Sequence, residues 1–167
     1  MSQPTKANVI KRNGLNYIQA GSINQPITGR KGDLICIDWG YAYLAGKNGA
    51  NTTVSLGEYE KMKATFAQKG ELLPTASELI TRKADEMPAM AYSEDLGKVS
   101  TNGKSGFMML GYDDIYSVEY MYERRMAYWK HDGKVTIFDA FEKAEQNYQS
   151  IMAVSYTHLR AHETGAY

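Results

Sequence analysis

Val9-Ile10-Lys11-Arg12-Asn13-Gly14-Leu15-Asn16-Tyr17-Ile18-Gln19-Ala20 is the stretch that decides the fold class. Two runs carrying β-branched and aromatic residues flank Asn-Gly, whose members both tolerate positive φ. The segment therefore reads as strand, two-residue turn, strand. Working outward, Gly29-Arg-Lys-Gly-Asp33 is a second turn, and Leu34 to Ala45 is a β-rich run with a break at Gly40. Gly46-Lys-Asn-Gly49 closes that run, and Thr52 to Leu56 is a short strand candidate. Tyr59 to Gln68 places Tyr59, Met62 and Phe66 at helical spacing, with Gly70 as the stop. Residues 71–87, with Pro74, read as a loop that holds at most an irregular strand. Ala89 to Ser93 and Ser105 to Tyr112 are two further strands, joined by the polar connection Glu94 to Gly103.

Beyond Tyr112 the character changes. Asp113 to Trp129 mixes aromatic and Met side chains with charges, and His131-Asp-Gly133 is a turn. Thr136 caps a helix with Asp139 at its third position. Ile137, Phe141, Ala144, Tyr148 and Ile151 form its apolar stripe. Strands come first and the helix last. The expected fold is mainly β with a C-terminal helix: an incomplete β-sandwich-type domain leading into helical structure.

The chain has 167 residues, with 19 Lys+Arg against 19 Asp+Glu. A balanced charge argues against a nucleic-acid partner, because phosphate contacts need a cationic excess. At 43% hydrophobic residues a core is available. No apolar run approaches the roughly 20 residues of a membrane helix, so no membrane partner is expected. Cys36 is the single cysteine, which excludes an intrachain disulfide and a cysteine-based zinc site. Tyr is abundant, at 13, which suits strands and contact surfaces. Met1 to Gly14 is polar and carries no secretory h-region.

The segment Val154-Ser-Tyr-Thr-His-Leu-Arg-Ala-His-Glu-Thr164 resembles one translated frame of a transposase-type sequencing adapter over its whole length. Residues 154–167 are therefore expected to be a non-native tail on a gene cut short by sequencing, and are set aside from fold reasoning. His158 and His162 stand four apart beside Glu163, a spacing that suits zinc on a helix. They belong to that tail, so no metal is expected. His131 is then the one remaining histidine.

Chemistry is not written in motifs. There is no phosphate-binding loop, dinucleotide fingerprint, nucleophile elbow or HExxH, and no cofactor is expected. Asp113-Asp114 is the best carboxylate pair. Neighbours on a strand point to opposite faces, so the two share one site only at a turn or bulge. A turn or capping role competes with catalysis there. Asp38, beside Trp39 and Gly40, is a third candidate, in a pairing that sugar sites use but that core corners use more often. Tyr41 and Tyr43 share a strand face and are expected to pack. Tyr116, Tyr120, Tyr122, Tyr128 and Trp129 suit a domain interface better than a stacked ligand. His131 reads as a solvated turn residue, Cys36 as a small buried hydrophobe. Asn51-Thr52-Thr53 is a glycosylation sequon of low information.

An ordered set of segments resembles the glutaminase A family. It runs from Leu15-Asn-Tyr17 to Gln25-Pro26, then from Gly32-Asp33 through Ile37-Asp-Trp-Gly-Tyr41 to Tyr43-Leu-Ala45. It continues with Lys63-Ala-Thr-Phe-Ala-Gln-Lys-Gly70, Ala91-Tyr-Ser-Glu-Asp-Leu-Gly97, Met109-Leu-Gly-Tyr-Asp-Asp-Ile-Tyr-Ser-Val-Glu-Tyr120, Tyr128-Trp129 and Asp132-Gly133. The resemblance implies a β-sandwich-type N-terminal domain over residues 1–120. Residues 121–153 would be a linker and the first helix of a truncated six-hairpin (α/α)6 barrel. It implies a parent that hydrolyses L-glutamine, its small-molecule substrate, to L-glutamate and ammonia in the periplasm or outside the cell. The partner of this chain would be the missing downstream helical domain. No catalytic residue of the family carries over onto these positions, and the fragment alone is expected to be inactive. The alternatives are a six-hairpin parent that acts on glycosides, and a non-catalytic β-sandwich module with a binding or structural role.

Overall fold

The computed structural model describes residues 4–29, 37–79 and 87–163, the last three of these as backbone. In chain order the described strands are β1 (Thr5–Arg12), β2 (Leu15–Ser22), β3 (Tyr41–Lys47), β4 (Thr52–Glu58), β5 (Glu78–Leu79), β6 (Pro88–Glu94), β7 (Met108–Asp113), β8 (Val118–Tyr120) and β9 (Glu123–Arg125). The helices are α1 (Tyr59–Lys69), α2 (Ile137–Gln146) and α3 (Tyr148–Glu163). The Asn13-Gly14 turn does what its residues predict. Both have positive φ, 48° and 80°, and Arg12 pairs with Leu15 to close an antiparallel hairpin. β1 and β2 join β3, β5 and β7 in a five-stranded antiparallel sheet of order β5-β1-β2-β3-β7.

Strand alternation gives this sheet two apolar faces. On one, Ala7, Ile18 and Ala20 pack against Val54 and Leu56 of β4, with Leu44, Met90 and Tyr92 at the margin. β4 and β6 form their own antiparallel pair and make the second layer. On the other face, Leu15, Tyr17, Tyr43 and Ala45 meet Ile137 and Phe141 of α2. Edge-to-face rings knit that contact: Tyr17 lies 5.1 Å from Phe138 and 5.6 Å from Phe141, and Tyr43 lies 5.7 Å from Phe138. At roughly 1.5–3 kcal/mol for each large apolar side chain buried, these two clusters outweigh any single polar contact in the molecule. The fold is mainly β, with antiparallel sheets arranged like a sandwich and a C-terminal helix.

Three local features differ from the sequence reading. The Leu34–Ala45 run is not one broken strand over its described part. The break at Gly40 is there as expected, with φ 92° and β3 starting at Tyr41, but residues 37 and 38 before it are not strand and residues 39–40 bend. Residues 34–36 lie outside the described residues, and the expectation for Cys36 lies there with them. β8 and β9 form a hairpin that no turn signal announces: Met121 and Tyr122 hold its two positive-φ positions, at 48° and 66°, where Asn or Gly is the usual choice. Lastly, the apolar stripe does not run on as one face. α2 ends at Asn147, and while Ile137 and Phe141 are buried, Tyr148 and Ile151 are about half exposed.

Candidate functional site

The pairing of β3 with β7 decides where the carboxylates go. Tyr41 stands opposite Asp113, so the residues just before β3 lie beside the end of β7. Asp38-Trp39-Gly40 and Tyr112-Asp113-Asp114 thereby meet at one end of the sheet. Gln25 fixes the bend: its side-chain oxygen accepts from the Gly40 N–H at 2.5 Å, and its amide nitrogen donates to the Ser22 carbonyl at 2.7 Å. The Trp39 indole donates to the Tyr116 carbonyl at 3.0 Å, and the Tyr112 hydroxyl donates to the Trp39 carbonyl. A Cβ on Gly40 would stand 2.5 Å from the Asp113 carbonyl oxygen, so only glycine lets the two segments come this close.

Lys130, 6% exposed, completes the site. Its ammonium donates to the Asp113 carboxylate and, at 3.1 Å, to the Ile115 carbonyl, and it lies 5.6 Å from the centre of the Trp129 ring. The same Asp113 oxygen accepts from the Ile115 N–H at 2.8 Å. Proton transfer at this carboxylate would first have to break its bond to Lys130. Burial, then the charges of Asp114, Asp38 and Asp113, raises the Tyr112 phenol above its ordinary value, which keeps it a neutral donor to Trp39. Beside it opens a cleft of about 330 Å³ bordered by Thr5, Ser22, Asp38, Met90 and Tyr112.

A family model for a domain of unknown function, DUF5127, matches residues 1–158. The chain belongs to the DUF5127 family. The match ends inside the segment that resembles adapter sequence. No curated protein and no solved structure matches the chain.

In this DUF5127 chain the three carboxylates that the sequence singled out share one end of one sheet. Asp113 and Asp114 do so at the strand end and bend that their adjacency requires. Two residues that the sequence reading missed hold the place together, Gln25 and Lys130. Gln25 entered the sequence reading only as the end of a motif and Lys130 not at all; each reaches the site through a partner 15 or more positions away. The other candidates lie apart. His131 occupies an exposed turn with φ 46°. His158 is exposed on α3, and the side chain of His162 lies outside the described residues. Among the described residues no three His, Cys, Asp or Glu groups come together as a metal site. Asn51 is exposed at the turn before β4, its amide donating to the Asp95 carbonyl at 2.8 Å. Tyr41 and Tyr43 pack on the α2 side as expected. Tyr120, Tyr122 and Tyr128 stand 64%, 99% and 90% exposed, while Trp129 tucks against the core. A second, apolar groove of about 790 Å³ runs along α2 between Tyr128, Val135, Ala140, Ala144 and Ile151.

Proposed function

We propose that this chain is the non-catalytic β domain of a glutaminase A-like hydrolase, and that it serves as the seat for that protein's helical domain. The reaction of the parent would be hydrolysis of L-glutamine to L-glutamate and ammonia, in the periplasm or outside the cell. The ordered motif set from Leu15 to Gly133 supports the family reading. The observation that carries the role is the uncovered aromatic surface. Tyr120, Met121, Tyr122 and Tyr128 are all exposed by 64% or more within the segment that leads from the sheet into α2. Exposed apolar residues gathered in one stretch mark an interaction surface rather than ordinary scatter. The Asp113 carboxylate nearby supports the non-catalytic part, since Lys130 holds it.

The test is to recover the parent gene from a longer read and assay ammonia release from L-glutamine. The full-length protein should turn glutamine over, and the 167-residue chain alone should not. A folded full-length protein with no glutaminase activity would sink the proposal, and turnover of glycosides in its place would establish the alternative parent.

A further inference from the structure

β7 is the outermost strand on its side of the five-stranded sheet; among the described residues β3 is its one strand neighbour. Its inward side chains are covered, with Met109 packed on the α2 cluster and Gly111 beneath Phe141. Its other row is open: Met108 is 67% exposed, Leu110 75% and Tyr112 48%. An outer strand offers a row of unpaired backbone groups, and proteins commonly blunt such edges with charge, proline or a cover. The opposite side of the sheet does so. β1 carries Lys6, Lys11 and Arg12 and is partly covered by β5. Among the described residues β7 has little such protection: Ser105-Gly-Phe-Met-Met-Leu-Gly-Tyr112 holds no charge and no proline, and a charge from elsewhere reaches it at Gly106, where the Glu94 carboxylate of β6 lies. Along the sequence, charge appears only at its two ends, as Lys104 before it and Asp113-Asp114 after it.

We propose that β7 is a self-pairing edge: two copies of the chain join β7 to β7 antiparallel, about a two-fold axis at Leu110, into one continuous ten-stranded sheet. The occupant follows from the pattern. Residues opposite one another in an antiparallel ladder point to the same face, so a symmetric pairing must keep the exposed row against itself. The register about Leu110 sets Leu110 against the partner's Leu110 and Met108 against the partner's Tyr112. Every side chain of the open row then gains an apolar neighbour across the ladder. The charges agree with this direction. Carried past the ends of β7, the same antiparallel register sets Lys104, now donating to the Leu96 carbonyl at 2.5 Å, diagonally across from the partner's Asp114 at each end. A parallel pairing would set lysine against lysine. The inference is independent of the function proposed above.

Sedimentation velocity over a range of protein concentrations tests it. The mass should rise to twice the monomer value with concentration. Leu110→Lys should hold the chain monomeric and, at concentrations where the natural chain is monomeric too, leave the melting temperature unchanged, because three quarters of Leu110 is exposed. Lys104→Glu should weaken association several-fold, and adding Asp114→Lys should restore it. With Cys36→Ser as background, Leu110→Cys should give a disulfide-linked dimer under oxidation, while Val9→Cys, exposed on β1, should not. A chain that stays monomeric at every concentration, or a dimer that Leu110→Lys leaves intact, overturns the proposal.

Discussion

Lys130 and Asp113 form an ion pair that fastens the Tyr128–Lys130 turn to the end of β7, with their side chains 8% and 19% exposed. An ammonium so deeply covered is tolerable because the Asp113 carboxylate and the Ile115 carbonyl both receive it. Removing one partner leaves the other charge buried alone. Asp113→Ala should therefore destabilise the chain by about 3 kcal/mol in urea unfolding. Replacing both, as Asp113→Leu with Lys130→Met, should recover much of that loss, since an apolar pair needs no counter-charge. If the single and double variants unfold at the same urea concentration, the pair is not what holds this junction.

Tyr17 is fully buried between Phe138 and Phe141, and its hydroxyl has no hydrogen-bond partner among the described residues. Tyr17→Phe should then be neutral or slightly stabilising at neutral pH, whereas Tyr17→Ala should cost about 3–5 kcal/mol through the cavity it leaves. The phenol also sets an alkaline limit. Burial, reinforced by the Glu142 charge, raises it from 10.0 to about 12. An acid whose folded value lies above its unfolded one gives stability that is complete below pH 10.0 and lost as pH climbs toward about 12. Thermal melts across that window should fall steeply for the natural chain and less steeply for Tyr17→Phe.

How far the sequence carries the fold depends on how local the signal is. Asn13-Gly14, Gly70 and the Thr136–Asp139 box each settle a turn or helix end from neighbours alone, and each does so in the structure. The β8–β9 turn is illegible because Met121 and Tyr122 hold positive φ, a conformation that neither residue type signals. The break at Asn147 is illegible for another reason. A stripe at helical spacing predicts one face, but the sheet offers covering surface only as far as Phe141. The junction of Asp38, Asp113 and Lys130 needs the β3–β7 pairing, across some 70 residues of chain, and no local pattern encodes that.

Gly40 and Gly14 separate two meanings of glycine. Both have positive φ, 92° and 80°. Around Gly14 an added Cβ meets nothing within 4 Å, so Gly14→Ala should cost only the backbone strain, about 1 kcal/mol. At Gly40 the same atom would stand 2.5 Å from the Asp113 carbonyl oxygen and 2.9 Å from the Asp114 Cα, and backbone cannot swing aside as a side chain can. Gly40→Ala should cost about 3 kcal/mol or more and loosen the Trp39–Tyr116 contact. Tryptophan fluorescence during unfolding reports both. Equal losses for the two variants would mean that the close approach of β3 and β7 is not required.

Thr136 and Asp139 cap α2 reciprocally: the Asp139 N–H donates to the threonine oxygen at 3.2 Å, and the Thr136 N–H donates to the carboxylate at 2.8 Å. These bonds orient the helix whose Ile137 and Phe141 close one side of the core, so the cap acts on packing as well as on the helix end. Thr136→Ala should lower stability by about 1 kcal/mol at neutral pH. Hydrogen bonds from Thr136, ahead of the Arg12 charge, hold the Asp139 carboxyl below its ordinary value of 3.8. A lowered folded value means that its contribution is present above pH 3.8 and disappears as pH falls through the folded value. The gap between the natural chain and Thr136→Ala should therefore narrow in acid, once the protonated carboxyl no longer rewards the cap. Urea unfolding at neutral and at acid pH measures that gap, and a gap that stays constant into acid would assign the stability of this helix end to the threonine alone.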